Sequence, residues 1–363
     1  MWPHIRHLTS CHLGAVFSFT VLGVLIARPA VAQSTSRAVL PASIHGGEAV
    51  GPAAIELGKA LFFDPRLSAD GTISCNSCHN VMGGGADGRP VSAGVRGQHG
   101  QRSAPTVWNA ADLSVLFWDG RAATLEEQAK GPLVNPVEMG NAGLGAVAAR
   151  LKRIPGYVAM FRQAFLHGGD AVTGDHAVQA IAAFERTLVT RGSAYDRYVG
   201  GDKRALSPEA QRGLALVGSL GCTGCHSGSN FAGPKLPQGT GFYQRFPTYK
   251  DNAHVAKYHL ADDLGRYTAT KRDEDKHMWR VPTWRNVALT APYFHNGAVA
   301  TLEEAVRVMA KVQLNKDLKD DETRAIVAFL GGLTGPFPAL TLPRLPATPG
   351  ASVIRVSARM GAH

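Results

Sequence analysis

The chain has 363 residues, of which 45% are hydrophobic and 18% are charged, so it is long enough for two domains with separate cores. Its formal net charge is +10, but the basic residues are scattered along the chain instead of forming runs. This pattern argues against nucleic-acid binding and is compatible with a basic surface that meets an acidic partner.

The first 32 residues have the pattern of a secretory signal peptide. An apolar run over 13–26 follows Arg6 and precedes the A-x-A cleavage pattern at 30–32. A retained membrane anchor is the alternative, but the run is short and no later segment is apolar enough to span a bilayer. We therefore expect a mature chain that begins at Gln33, lies in the periplasm and has no stable insertion in the membrane.

Two C-x-x-C-H motifs contain every cysteine that remains after residue 32. The chain has five cysteines, and removal of the signal peptide removes Cys11. In this motif two thiols form thioethers to a c-type haem and the following histidine binds its iron. Zinc also binds paired cysteines, but these pairs lie far apart and each has its own histidine. We therefore expect two covalently bound haem c groups and no structural disulfide. The first haem motif is Cys75-Asn76-Ser77-Cys78-His79 and the second is Cys222-Thr223-Gly224-Cys225-His226.

Apolar periodicity predicts helices in both parts of the chain, and one of them leads to each haem motif. Seven glycines between 82 and 100 predict a loop that wraps around another group, and the glycines of 191–207 predict a linker. The predicted helices are 53–63, 125–129, 145–151, 157–165, 176–188 and 209–220.

The chain contains an internal repeat with an offset of 177 residues. Of the 23 positions in 105–127, 11 are identical to their partners in 282–304. Each copy contains Thr-Leu-Glu-Glu, which predicts a helix opened by a capping box. With one haem motif ahead of each copy, duplication of a single haem domain explains the pattern. The second copy differs by an insertion over 228–279.

The two copies differ at a position that matters for iron ligation. Met309 lies on an apolar helical face, and a haem bound by histidine and methionine has a raised potential suited to electron transfer. The equivalent residue in the first copy is Pro132, which cannot bind iron. Core packing is the alternative role for Met309. Met278, His277 and His295 are the other candidates for a second ligand.

The first haem motif has His79 but no methionine in the matching place, so one face of its iron is expected to be open to a small oxidant. Glu138 is the carboxylate that we place there, because it can move a proton from the near oxygen of peroxide to the far one. A solvated loop glutamate is the alternative. Trp118 is a candidate conduit between the haems and equally a candidate core residue.

The chain resembles the bacterial dihaem cytochrome c peroxidases over nearly all of its mature length. Seven short segments carry the resemblance, and together they are very specific. They are 61–68 (LFFDPRLS), 74–79 (SCNSCH), 117–121 (FWDGR), 137–139 (VEM), 221–226 (GCTGCH), 281–286 (VPTWRN) and 291–297 (APYFHNG).

The resemblance implies that the first haem reduces hydrogen peroxide, with His79 as its proximal ligand. Glu138 would be the catalytic residue, assisted by Gln128. Electrons would come from a small periplasmic donor, either a cytochrome c or a cupredoxin.

The resemblance also implies roles between and beyond the haems. Trp118 would lie between them, and the second haem, bound by His226 and Met309, would accept the electrons of the donor. A calcium ion would sit between the domains, held in part by the backbone carbonyls of Thr290 and Pro292.

Two departures from the family pattern affect these expectations. Many members have a histidine that caps the peroxidatic iron in the oxidised enzyme, and here that position is Val95. His99 is the nearest substitute, although an exposed loop histidine is the alternative. Ser103 stands where the family has an asparagine that binds calcium through its side chain, and a serine hydroxyl is a poorer ligand for this hard cation.

The sequence therefore predicts a mostly α-helical protein with two cytochrome c-like haem domains related by internal duplication. Residues 33–200 would form the N-terminal peroxidatic domain, 201–340 the C-terminal electron-transfer domain and 341–363 a tail.

The first alternative function is that of a dihaem enzyme that oxidises a protein partner through high-valent iron. It would be like the relative that matures a quinone cofactor and has tyrosine where Met309 stands. The second rival is a non-enzymatic dihaem electron carrier. The oligomeric state stays open, a homodimer included.

Overall fold

The computed structural model describes residues 51–165, 169–350 and 352–354. The expected signal peptide (1–32) and Cys11 lie outside the described residues. The described chain is mostly α-helical, as the sequence predicts. None of its helices combines the length and the apolar character that crossing a membrane requires.

The helices fall on both sides of residue 200, and we call residues up to 200 the first half and residues 201–340 the second half. In the first half they are α1 (Pro52–Phe63), α2 (Cys75–Cys78), α3 (Leu125–Val134), α4 (Leu144–Leu151), α5 (Pro155–Ala164), α6 (Gly174–Glu185) and α7 (Ala194–Val199). In the second half they are α8 (Pro208–Ser219), α9 (Ala253–Lys257), α10 (Tyr267–Thr270), α11 (Leu302–Leu314) and α12 (Asp320–Gly331).

The six predicted helices are confirmed, with ends that shift by one to five residues. The expected linker 191–207 contains the short helix α7, which the sequence analysis missed. Its start is set by Ser193 and Asp196, whose side chains form a capping box. The insertion 228–279 contributes α9, α10 and a two-stranded antiparallel sheet of β1 (Tyr243–Arg245) and β2 (Met278–Arg280).

Both halves contain the same close crossing of two helices. In the first half, a Cβ on Gly58 of α1 would lie 1.8 Å from the carbonyl oxygen of Ala180 on α6. In the second half, a Cβ on Gly213 of α8 would lie 1.9 Å from the carbonyl oxygen of Ala325 on α12. Only glycine permits either approach, because any side chain would overlap the opposite backbone.

The backbone repeats with the same 177-residue offset as the sequence. Asn109 and Asn286 both have left-handed backbones, with φ of 59° and 60°. Thr124 and Thr301 each accept a hydrogen bond from the backbone N–H three residues on, which starts α3 and α11. Neither glutamate completes the expected capping box. The Glu127 carboxylate accepts a hydrogen bond from the N–H of Ala123, one residue before the cap, and the Glu304 carboxylate accepts one from a tyrosine hydroxyl in the insertion.

The two halves also exchange equivalent hydrogen bonds. The N–H of Ser103 in the first half donates to the carbonyl of His295 in the second half at 2.7 Å. The N–H of Arg280, which is the repeat partner of Ser103, donates to the carbonyl of Trp118 at 3.0 Å. Trp118 is in turn the repeat partner of His295. The contact between the halves is therefore reciprocal, as across an approximate two-fold axis.

The end of the second half and the tail that follows it pack against the first half. The ring of Phe337 packs edge-on against Trp108, with 4.5 Å between the ring centroids. Arg66 donates hydrogen bonds to the carbonyl oxygen of Pro346 and to the hydroxyl of Thr348. Val353 is 5% exposed and belongs to the hydrophobic core of the first half.

Candidate active site

The first haem motif forms the short helix α2 and presents a histidine with a fixed ring. The side chains of Ser74 and Ser77 cap this helix reciprocally. The Nδ1 of His79 lies 3.0 Å from the carbonyl oxygen of Pro105, and since a carbonyl only accepts, Nδ1 carries the proton. Nε2 is then the free nitrogen, as a haem ligand requires. Burial lowers the pKa of His79 and keeps the ring neutral.

The second haem motif repeats this arrangement. The Nδ1 of His226 lies 3.0 Å from the carbonyl oxygen of Phe231, and its ring stacks on Trp284 with 4.3 Å between centroids. Burial lowers the pKa of His226 to about 4. The carbonyl of Pro282, the repeat partner of Pro105, also faces this ring. Both histidines are therefore neutral and oriented, which fits ligation of haem iron.

The four cysteines of the motifs are free thiols. Within the described ranges, no group of three or more His, Cys, Asp or Glu side chains is arranged to hold a metal ion. Each motif thus offers two thiols and one free imidazole nitrogen, the donor set that covalent attachment of haem uses.

Glu138 lies in the loop that follows α3, close to the first haem motif. Burial raises its pKa, while the charge of Arg121 and a hydrogen bond from Asn135 lower it by less. That hydrogen bond runs from Nδ2 of Asn135 to Oε1 of Glu138 over 2.7 Å. Burial also raises the pKa of the Cys78 thiol, and the nearby charge of Glu138 adds to that rise. The structure therefore places Glu138 close to Cys78 of the first haem motif.

The glycine-rich loop packs against the backbone of Glu138. The N–H of Val95 donates to the carbonyl of Glu138 at 2.8 Å, and the Val95 side chain is fully buried. His99 is exposed, and its Nδ1 lies 3.3 Å from the carbonyl oxygen of Ser92. In this arrangement the residue at the family's histidine position packs away in the interior, and His99 faces solvent.

Gln128 and Trp118 lie in elements that frame the same region. Gln128 is half-buried on α3, four residues after the cap Thr124. Trp118 is half-buried, and its Nε1 donates to the carbonyl of Ser103 at 2.8 Å. Trp118 also packs against the hydrophobic cluster of the second half that contains Met309. The tryptophan therefore bridges the two halves.

Met309 is half-buried on α11, between two hydrophobic clusters. It packs with the cluster that contains Trp279 and Tyr293. Leu302 of the same helix packs with this cluster and also with the cluster that contains Phe231, next to His226, and Val306 packs with the Phe231 cluster. The helix therefore contributes side chains to both clusters.

The expected calcium ligands lie beside the glycine-rich loop. Ser103 is 8% exposed, and its backbone oxygen already accepts the hydrogen bond from Trp118. A Cβ on Gly88 would lie 3.9 Å from the carbonyl oxygen of Ala291, which stands between Thr290 and Pro292. Thr290, Pro292 and Ser103 thus all come from the contact region of the two halves, where the described residues form no group of three or more His, Cys, Asp or Glu side chains.

Two arginines near this region were missed by the sequence analysis. Arg121 donates to both carboxylate oxygens of Asp119 at 3.0 Å and contributes positive charge to Glu138. Arg280 is buried where the halves meet. Arg121 belongs to a segment of the family resemblance, which was the available signal. Nothing in the sequence distinguished Arg280 from the scattered surface arginines.

Comparison with known proteins places this geometry in a family. A family model described as di-haem cytochrome c peroxidase matches residues 52–204. The chain is 45% identical over 293 residues to cytochrome c551 peroxidase of Pseudomonas aeruginosa, which covers 81% of this chain and 82% of that protein. It is 42% identical over 340 residues to cytochrome c551 peroxidase of Nitrosomonas europaea, covering 93% of each. A solved MauG-like protein associated with microbial copper homeostasis superposes with a TM-score of 0.69 and 30% identity, over 79% of this chain and 91% of that one.

The chain therefore belongs to the dihaem cytochrome c peroxidase family. Within that family it is a peroxidase, as the level of identity to the two cytochrome c551 peroxidases shows.

Proposed function

We propose that this peroxidase reduces hydrogen peroxide to water at the first haem, with electrons from a small periplasmic cytochrome c or cupredoxin. The observation that carries the proposal is the placement of Glu138. It is a half-buried carboxylate with a raised pKa, held by Asn135 beside Cys78. A carboxylate in this state is suited to general acid–base work, because a raised pKa makes it a better proton acceptor while it can still return the proton.

In this proposal the protein handles the protons of the reaction. When bound, the haem supplies the iron that takes up peroxide and the electrons that divide its O–O bond. Glu138 takes the proton from the near oxygen and delivers it to the far oxygen, and Gln128 assists by orienting the peroxide. Two electrons and two further protons complete the conversion of one peroxide to two waters.

Electron entry is assigned to the second haem, with His226 and Met309 as its iron ligands. Support for Met309 comes from its half-buried position on α11, a helix that also packs with the cluster next to His226 through Leu302 and Val306. Pro132 at the equivalent place leaves the first haem without such a ligand. Trp118 is proposed to lie on the route between the haems, since it contacts both halves.

The architecture is proposed to be two cytochrome c-like domains, 33–200 and 201–340, produced by duplication. The paired helix crossings, the repeated left-handed asparagines and the reciprocal hydrogen bonds support this reading. Residues 1–32 are proposed to be a cleaved signal peptide, which would place the enzyme in the periplasm.

A calcium ion between the halves is proposed with a reduced ligand set. The carbonyls of Thr290 and Pro292 would bind it, and Ser103 would replace the usual asparagine. Dialysis against a chelator, followed by calcium analysis, tests this point directly.

A dihaem enzyme that oxidises a protein partner is the second candidate, and the similarity to a MauG-like protein is the observation that favours it. Met309 counts against it, because that type of enzyme has tyrosine at this position. A third candidate, a non-enzymatic electron carrier, would leave Glu138 without a role.

One stopped-flow experiment tests the main proposal. The fully reduced protein is mixed with hydrogen peroxide, and reoxidation of the haems is followed. We expect rapid reoxidation in the wild type, and in Glu138→Gln a fall in its second-order rate constant of about 100- to 10,000-fold. Glu56→Gln is the control, because Glu56 is exposed on α1. Equal rates in all three proteins would refute the assignment of Glu138.

A further inference from the structure

Arg280 is a buried cation with no carboxylate partner in the described part of the chain. It is 6% exposed. Its Nε donates to the carbonyl of Phe117 at 3.0 Å and its Nη1 to the carbonyl of Val281 at 3.2 Å. A guanidinium has five N–H donors, so three remain without a protein acceptor among these residues. An unpaired buried charge is costly, so this site calls for an anion.

The neighbouring aspartates are already paired with other arginines. Three aspartates of this region are shared by four arginines, and none lies within salt-bridge distance of Arg280 in the described chain. The pairs are Arg102–Asp119 (2.6 Å), Arg102–Asp263 (2.7 Å), Arg121–Asp119 (3.0 Å), Arg272–Asp275 (2.8 Å) and Arg266–Asp275 (3.6 Å). The described part of the chain therefore supplies no carboxylate for Arg280.

The position of Arg280 identifies the chemistry of that anion. Its N–H binds the carbonyl of Trp118 in the first half, and Pro282, two residues later, faces the ring of His226. Arg280 thus stands where the two halves meet, next to the backbone that positions the second haem histidine. Each haem carries two propionates, and a carboxylate matches the planar fork of a guanidinium in a bidentate pair.

We propose that Arg280 binds a haem propionate at the contact of the two halves and raises the reduction potential of that haem. The proposal rests on the two-haem function above. A fixed positive charge favours the reduced haem, which carries one positive charge fewer than the oxidised haem. Arg280 is therefore a positioning residue, which acts through the haem and makes no contact with peroxide.

The test is a redox titration of both haems in the holoenzyme, in wild type and Arg280→Gln. We expect the equilibrium constant for reduction of one haem to fall at least tenfold in the variant, which is ~59 mV for a one-electron couple. The haem whose reduction potential shifts is the one that supplies the propionate, and a shift in the potential of either haem supports the proposal. If the variant folds and carries both haems but neither reduction potential changes, the proposal is wrong. The function proposed above would survive that result, because peroxide reduction is measured separately.

Two further variants keep the test decisive. Arg272→Gln is the matched control, because Arg272 lies eight residues before Arg280 but is 57% exposed and has its own carboxylate partners. It should leave both potentials unchanged. If Arg280→Gln does not fold, Arg280→Lys retains the charge but not the fork, and should shift the infrared carboxylate band of a haem propionate. An unchanged propionate band in that variant would equally overturn the proposal.

Discussion

The backbone N–H of Val95 donates a hydrogen bond of 2.8 Å to the carbonyl oxygen of Glu138. This bond fixes the glycine-rich loop to the segment that holds the proposed catalytic carboxylate. The loop is close-packed there, since a Cβ on Gly94 would lie 1.9 Å from the carbonyl oxygen of Val137. The residue that would cap the iron in many relatives is thus an apolar side chain held inside the protein.

We therefore predict that the first haem is five-coordinate or water-bound in the oxidised protein and that the enzyme needs no prior reduction. Electron paramagnetic resonance of the oxidised protein should show a high-spin haem. His99→Ala should leave that spectrum unchanged, because His99 is exposed. A low-spin bis-histidine signal for the first haem would contradict the prediction.

The pH dependence of the reaction should reflect the environment of Glu138. Its pKa is raised by burial, so the basic form is lost as the pH falls through a value above the ordinary ~4.3 of glutamate. We expect kcat/KM to decline on the acid side with that raised pKa. Arg121→Gln removes a charge that lowers the pKa, so the decline should move to higher pH.

Arg121→Lys is the matched control for this shift, since it retains the positive charge. In this variant the decline of kcat/KM on the acid side should stay close to that of the wild type. An acid limb that is identical in the Gln variant and the wild type would show that another group controls the reaction.

Met309→Leu should separate electron entry from peroxide chemistry. Loss of the thioether ligand should lower the equilibrium constant for reduction of the second haem by at least tenfold. This corresponds to a fall of ~59 mV in its reduction potential. Electron transfer from a donor should then fail, while the first haem still reacts with peroxide. Met82→Leu is the control, because Met82 is 54% exposed. An unchanged spectrum and potential of the second haem in Met309→Leu would exclude this ligand.

The crossing of α8 with α12 predicts that two glycines of α8 respond differently to replacement by alanine. Gly213→Ala places a methyl group 1.9 Å from the carbonyl oxygen of Ala325, so we expect a loss of about 1–3 kcal/mol in the free energy of unfolding. In Gly218→Ala on the same helix, the added methyl group has no atom within 4 Å, so the variant should gain about 0.5–1 kcal/mol in the free energy of unfolding. Thermal unfolding of the two variants measures both effects, and similar melting temperatures would count against the crossing.

The sequence predicted the parts of this molecule that depend on local patterns. The two haem motifs have a fixed spacing, and α1, α8 and α11 have clear apolar periodicity, so each could be assigned without a structure. Glu138 was singled out by its chemistry and by the resemblance to the family. That it lies near Cys78 is known only from the structure.

The parts that were missed depend on contacts between distant segments. The isolated charge of Arg280 becomes evident only when every nearby aspartate has been assigned to another arginine. The capping box at Thr301 failed because Tyr258, from the insertion, takes the Glu304 carboxylate. Short-range patterns do not report such competition, since the competing residue is far away in sequence.

The return of the tail to the first half has a consequence for the order of assembly. Val353 completes a hydrophobic core that also contains Leu57 and Tyr157, and Arg66 holds the tail at Pro346. The ribosome makes α1 long before it makes these final core residues. The core of the half that is synthesised first is therefore complete only when residues from the far end of the described chain have been added.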